Sequence, residues 1–143
     1  VYKIRPMRQK INFKKYRRNN MSDIRCINFG YVVPEDKADE VQSVFNKHSA
    51  WMDDFYCESV NGQEHLISSY FTRAPEFINP VDPSEGVTGN VIFTLNERFT
   101  SMESIQRHAE NAQKNDYFPQ FGEILGTYGA AISMGGEIYH SIR

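Results

Sequence analysis

Hydrophobic residues recur along this chain with two alternating periods, and this alternation restricts the fold more than any other feature. A period of two, typical of β-strands, marks four segments, residues 24–33, 65–73, 90–97 and 130–142. A period of about 3.6, typical of amphipathic helices, marks residues 36–55 and returns over 101–129 with a break near Asn115. The order β-α-β-β-α-β predicts an α+β, ferredoxin-like fold, in which a four-stranded antiparallel sheet carries two helices on one face.

The sheet face that the helices leave open predicts a partner. In the first strand Ile27, Phe29, Tyr31 and Val33 form the inward set, whereas the residues between them are small to medium-sized and uncharged. The last strand also has apolar residues on both sides. Such strands are unfavourable in open water, and a second sheet packed face to face would cover them. We therefore expect a homodimer that forms through the open sheet face.

The connection between the second and third strands is unusually long. Residues 74–89 contain Pro75, Pro80 and Pro83 and show no clear period. Long connections are uncommon in compact domains, and many of them are lids or binding loops. Because Phe77 and its apolar neighbours could anchor this segment, we expect an ordered flap over a pocket or over the neighbouring protomer.

The first twenty residues differ in charge from the rest of the chain. The whole chain has 16 Lys or Arg and 18 Asp or Glu; eight of the basic residues and none of the acidic ones precede Met21, which leaves eight against 18 in residues 21–143. This asymmetry predicts a basic extension, residues 1–20, and a single domain, residues 21–143. Two interpretations of the extension stay open: translation upstream of a start at Met21, which we favour, and a native arm that docks on the acidic body or on a partner. Nucleic-acid binding through the arm is less favoured, because the acidic body would repel phosphate.

The composition excludes several classes of protein. No segment approaches the run of about 20 apolar residues that a membrane helix needs, and the basic extension lacks the apolar stretch of a secretory signal. The two cysteines, Cys26 and Cys57, cannot form a disulfide framework and have no CxxC spacing. We therefore expect a reduced, cytoplasmic setting and no membrane partner.

The stretch VIFTLNERFTS leads into a helix that begins with Ser101 and Glu103 and continues to His108, with the spacing S-x-E-x-x-x-x-H. This motif resembles the second helix of the antibiotic-biosynthesis-monooxygenase group in the dimeric α+β-barrel superfamily. The resemblance covers residues 22–143 in topology and about 95–121 in motif. It implies a dimeric α+β barrel with a pocket between sheet and helices in each protomer. Members of the superfamily include cofactor-independent oxygenases, cyclases, isomerases and haem-degrading proteins, so the fold does not determine the function.

His108 is the candidate catalytic residue. It lies on the apolar stripe of its helix, where a neutral imidazole could act as a general base. A hydrogen-bonded core or interface histidine explains the same position about equally well. Polar and aromatic residues on the strands and the first helix are typical of a small-molecule pocket, and also of a tyrosine-rich dimer core. The candidate ligand-binding residues are Asn28, Tyr31, His48, Trp51, Ser68, Tyr70 and Phe93.

No metal and no cofactor are predicted. The histidines show no HxH or HxxxH spacing, and Glu110 near His108 does not complete a ligand set, nor does Glu137 near His140. We therefore predict a small dimeric protein that binds an apolar or aromatic small molecule. If it is an enzyme, it would be a cofactor-independent monooxygenase, cyclase or isomerase. The alternative is a non-catalytic dimer without a usable pocket.

Overall fold

The computed structural model describes residues 23–57, 62 and 64–142. The predicted basic extension, residues 1–20, lies outside them. The described elements, in chain order, are β1 (Arg25–Pro34), α1 (Glu35–Tyr56), β2 (Leu66–Phe77), a 3₁₀ turn (Pro83–Glu85), β3 (Val87–Phe99), α2 (Met102–Ala112), α3 (Phe118–Tyr128) and β4 (Gly129–Glu137). The predicted α+β class with a four-stranded antiparallel sheet is confirmed. None of the described helices is both long and apolar enough to cross a membrane.

The sheet has the strand order β2-β3-β1-β4. The central strand β1 pairs with β3 on one side and with β4 on the other, so that Phe29 lies opposite both Leu95 and Ile132. The strands β2 and β4 form the two edges. Near Gly135 the β1–β4 register shifts at a bulge, and Gly135 has a φ of 90°, a conformation that favours glycine.

The two faces of the sheet differ in burial. The inward residues of β1 and β3 pack with the helices in one core, as the period of two predicts; they include Ile27, Phe29, Tyr31, Val33, Val91, Phe93 and Leu95. On the opposite face most side chains are half-buried or exposed and partly polar, although Cys26 is buried. There the Asn28 amide donates a hydrogen bond of 3.2 Å to Asn96, and Thr72 hydrogen-bonds to Thr94.

The helices follow the predicted stripes, but the predicted number of two is wrong, because the described residues form three helices and the second stripe is divided between α2 and α3. The helix α1 begins after Pro34 with two acidic residues in its first turn, which suits the positive end of the helix dipole. The residue that caps α2 is Ser101, whose hydroxyl accepts from the backbone N–H of Ser104 at 3.1 Å. The neighbouring Thr100 hydroxyl donates to the Glu64 carbonyl instead of capping the helix.

The prediction of a long irregular connection between β2 and β3 is also wrong. The strand β2 continues past Pro75 to Phe77 and β3 begins at Val87, so the connection shrinks to residues 78–86. Pro75 is tolerated because β2 is an edge strand, where one side needs no ladder hydrogen bonds. The remaining turn is ordered by the hydrogen bond from the Ile78 N–H to the Gly86 carbonyl and by the Asp82 side chain, which accepts from the Ser84 N–H.

Candidate metal centre

Three polar side chains from three elements meet inside the core. His48 lies on the buried stripe of α1, Glu97 on the inward side of β3 and His108 on the buried stripe of α2. Their exposed fractions are 3%, 2% and 4%. His48 continues the helical stripe through Val44, and Glu97 continues the strand alternation through Leu95. The periods that bury the apolar residues therefore also bury these polar ones.

The two imidazoles face the two oxygens of one carboxylate. His48 Nε2 lies 3.8 Å from Glu97 Oε1, and His108 Nε2 lies 3.5 Å from Glu97 Oε2. The three donor atoms that these residues can offer a metal lie within 4.8 Å of one another. Both contacts are longer than a normal hydrogen bond, and among the described residues the buried Glu97 Oε2 has no hydrogen-bond partner. Leaving such an atom without a partner costs free energy, so the arrangement favours the binding of an ion or ligand between these residues.

The Nδ1 atom of each imidazole is hydrogen-bonded to a tyrosine hydroxyl. Tyr117 Oη lies 2.6 Å from His48 Nδ1, and Tyr56 Oη lies 2.7 Å from His108 Nδ1. If each Nδ1–H donates to its tyrosine, the Nε2 lone pairs of both rings are directed to the side where Glu97 lies. Metal-binding histidines are commonly held in this way by a hydrogen bond at the opposite nitrogen.

Aromatic rings enclose the two imidazoles. The Trp51 ring centroid lies 5.5 Å from that of His48 and 5.3 Å from that of His108. Phe121 packs 4.8 Å from His48, and Phe99 packs 5.0 Å from His108. These rings limit the access of water to the cluster, and electrostatic interactions inside it are correspondingly stronger.

Burial shifts the pKa values of the cluster toward the uncharged forms. It lowers the pKa of His48 to about 4, and burial together with the nearby His48 lowers the pKa of His108 well below its usual value. Burial raises the pKa of Glu97 to about 8. The pKa values of Tyr56 and Tyr117 are raised by burial and by Glu97, with Arg107 opposing the shift at Tyr56. At neutral pH both imidazoles are therefore unprotonated at one nitrogen and able to bind a cation.

A narrow cavity lies beside the cluster. It has a volume of about 20 Å³, which is enough for about one water molecule. His48, Glu97 and His108 form part of its wall, and the rest is apolar, formed by Ile27, Phe29, Leu95, Ala109, Ala112, Phe118, Phe121 and Met134. Pockets for organic ligands usually exceed about 300 Å³, so the space next to His108 suits an ion and a very small ligand.

The structure brings together three of the residues nominated from sequence. His48 and Trp51 lie against His108, the predicted catalytic residue. Tyr31 and Phe93 instead belong to the core.

The remaining nominated residues lie on the open face of the sheet. Tyr70 is opposite Asn96, which also hydrogen-bonds to Asn28 across the sheet, and Ser68 is two residues before Tyr70 on the same side of β2. Tyr70 is 60% exposed. Asn28, Ser68 and Tyr70 are therefore separated from the cluster by the sheet itself.

Three residues of the centre were not nominated from sequence: Glu97, Tyr56 and Tyr117. A signal for Glu97 exists, because it occupies an inward position between Leu95 and Phe99 where the alternation calls for an apolar residue. The tyrosines carry no comparable signal, because amphipathic tyrosines at helix ends are common.

Comparison with protein-family models, with curated proteins and with solved structures finds no significant match for this chain. The geometry of the centre is therefore the basis for inferring a function.

Proposed function

We propose that the chain is a metal-binding protein whose His48, Glu97 and His108 side chains hold one divalent transition-metal ion, with zinc as the best fit. The observation that carries the proposal is the convergence of three buried donors on one point while Glu97 Oε2 lacks a hydrogen bond among the described residues. Two imidazoles and one carboxylate are a ligand set of catalytic zinc sites, and also of non-haem iron centres.

The spacing of the donors favours an ion over a bridging water. His108 Nε2 and Glu97 Oε2 are 3.5 Å apart. An ion bonded to both atoms at about 2.1 Å would form an N–ion–O angle of roughly 115°, close to the tetrahedral value. For a water at a hydrogen-bonding distance of about 2.8 Å from both atoms, the N–water–O angle would be roughly 77°, which is too narrow for good hydrogen bonds. For His48 Nε2 and Glu97 Oε1, which are 3.8 Å apart, the same bond length to the ion gives an N–ion–O angle of roughly 130°. Both N–ion–O angles are well above the right angle of an octahedral site, which is the reason for placing zinc first.

The environment supports the same assignment. The imidazoles are neutral at physiological pH, so that metal binding need not displace a proton from them. The hydroxyls of Tyr56 and Tyr117 would orient the two rings from behind. Three protein ligands leave one position open for water, which is the composition of a catalytic zinc site and lets the ion acidify that water or polarise a substrate.

The single tryptophan of the chain offers a direct test. Because Trp51 lies 5.5 Å from His48, Co²⁺ or Ni²⁺ bound at the centre should quench its fluorescence, and Zn²⁺ should compete with them. We expect one ion per chain with a sub-micromolar dissociation constant, weakened at least 100-fold in His48→Gln and His108→Gln. The exposed His140 provides the matched control, and His140→Gln should bind as the wild type does. Equal affinity in all three variants, or no binding by the wild type, would contradict the proposal.

The sequence-based prediction of a cofactor-independent oxygenase, cyclase or isomerase with His108 as base stays a prediction. A general base must lie within hydrogen-bonding reach of its substrate, and the adjoining cavity of about 20 Å³ has little room for an aromatic molecule. This volume is the reason for preferring a metal centre. A screen of aromatic substrates in the presence of a chelator would separate the two functions, because only a metal-independent enzyme would turn them over.

For the fold we propose a ferredoxin-like domain that pairs through its open sheet face into a dimeric α+β barrel. The support is that the helices pack on one face of the sheet only, whereas Ile92 and Val32 on the other face are half-buried without a covering element from the described residues. A second sheet would cover these side chains. The oligomeric state in solution tests this part of the proposal.

A further inference from the structure

The cavity beside the centre restricts what can bind to the ion. It has room for about one water molecule, and the three donor residues form part of its wall. Any exchangeable ligand of the ion must therefore occupy this space. Apart from the donors, the wall offers only apolar side chains, such as those of Leu95 and Phe118. Neither a polar organic molecule nor a second protein side chain would find a hydrogen-bond partner there.

The charge of the occupied centre favours an anion in this space. A divalent ion with two neutral imidazoles and the Glu97 carboxylate has one net positive charge. The cavity wall contains no second acidic residue. Burying an uncompensated charge among apolar side chains is costly, and a monoanion bound directly to the ion would neutralise it.

One residue of the cavity wall reaches toward solvent. Met134 on β4 is half-buried, whereas the other ten lining residues are buried. A methionine side chain is unbranched and adapts its shape easily. Met134 is therefore the side chain past which a small ligand would enter the cavity.

We propose that the open position of this centre is an exchangeable site for small monoanions, hydroxide and linear ions of up to three atoms, which enter past Met134. The proposal rests on the metal centre proposed above. It assigns the substrate class: the ion acts on, or delivers, a very small monoanion, and larger organic ligands do not reach it.

The test uses the full chain loaded with Co²⁺, whose visible absorption reports its ligands. Azide should change the spectrum in a saturable way, whereas imidazole at the same millimolar concentration should leave it unchanged. Met134→Ala should widen the entrance and allow imidazole to bind. Ala112→Val should narrow the cavity and weaken azide binding at least tenfold, with Co²⁺ affinity, measured by Trp51 quenching, unchanged.

Two outcomes separate this proposal from the metal centre on which it rests. If Co²⁺ binds but azide has no effect, or azide and imidazole bind equally well to the wild type, the small-anion site is wrong and the metal centre stands. If Co²⁺ does not bind, both are wrong. Azide affinity that is the same in Ala112→Val, Met134→Ala and the wild type would place the anion outside this cavity and would also overturn the proposal.

Discussion

Replacing Glu97 by glutamine should stabilise the metal-free protein and at the same time abolish metal binding. In the folded protein burial raises the pKa of Glu97 from 4.5 to about 8. The pKa of Glu97 is higher in the folded protein than in the unfolded chain. The stabilising contribution of the protonated carboxyl is therefore fully present below a pH of about 4.5 and is lost as the pH rises through about 8. Glutamine has nearly the same shape and no proton to lose, so its contribution should not change with pH in this range.

The magnitude follows from the value of one pKa unit, about 1.4 kcal/mol. At pH 7 the folded protein retains on Glu97 a proton that the unfolded chain has released, which destabilises the wild type by about 3 kcal/mol relative to acidic pH. The same calculation gives about 1 kcal/mol at pH 5 and about 5 kcal/mol at pH 9. At pH 7 the variant should therefore melt roughly 10 °C higher than the wild type.

Urea denaturation in the presence of EDTA at pH 5, 7 and 9, followed by circular dichroism, measures this difference. Glu123→Gln, at an exposed position of α3, is the matched control and should differ little from the wild type at any of these pH values. In parallel samples without EDTA, free Zn²⁺ at 100 times its dissociation constant should stabilise the wild type by about 2.7 kcal/mol and leave Glu97→Gln unchanged. If the variant were less stable than the wild type at pH 7, Glu97 would be a carboxylate paired with a charged imidazole, and the reasoning from burial would be refuted.

Three further predictions concern the tyrosines, the assembly and the β2–β3 turn. Tyr56→Phe and Tyr117→Phe should each weaken Zn²⁺ binding about tenfold without changing the stoichiometry, measured by competition with Co²⁺; unchanged affinity in both would remove the hydroxyls from the site. Light scattering of residues 21–143 at micromolar concentration should give twice the monomer mass, and a stable monomer would argue against the barrel. Limited proteolysis should spare residues 78–86, because the turn is hydrogen-bonded at both ends, and rapid cleavage there would show that it opens.

Hydrophobic periodicity was sufficient to predict the elements that bury one face. The inward residues of β1 and the stripe of α1 lie where the periods of two and 3.6 place them. The extent of β2 was not predictable in the same way, because most of its residues are exposed and Pro75 interrupts its pattern. An edge strand is held mainly by its one neighbour, here β3, and such pairing is invisible to a local pattern.

The burial of the two histidines could be predicted from the sequence, but their contact with Glu97 could not, because it depends on the packing of separate elements. His48 and His108 are each placed inward by a helical stripe, so their burial follows from local sequence. Their meeting with Glu97 depends on how α1 and α2 pack across β3, and no sequence spacing records that contact. Metal motifs such as HxxxH are recognisable because one helix supplies both ligands. Here each ligand comes from a different element.

Burial of the polar side chains of the cluster is unfavourable in the metal-free protein, which supports the proposal that the cluster binds a metal ion. A buried carboxyl group whose oxygens lie 3.5 and 3.8 Å from the nearest ring nitrogens gains little from hydrogen bonding, yet it loses its hydration. Replacing such buried polar groups by apolar residues of similar volume is often neutral or stabilising. Local departures from the folding pattern of this kind tend to coincide with functional sites. Since an ion that binds only the folded chain adds its binding free energy to the stability of the fold, the metal would offset the cost that the empty cluster imposes. The wild type and Glu97→Gln should therefore exchange their order of stability when a sufficient excess of metal is added, an effect that a merely structural histidine–glutamate cluster could not produce.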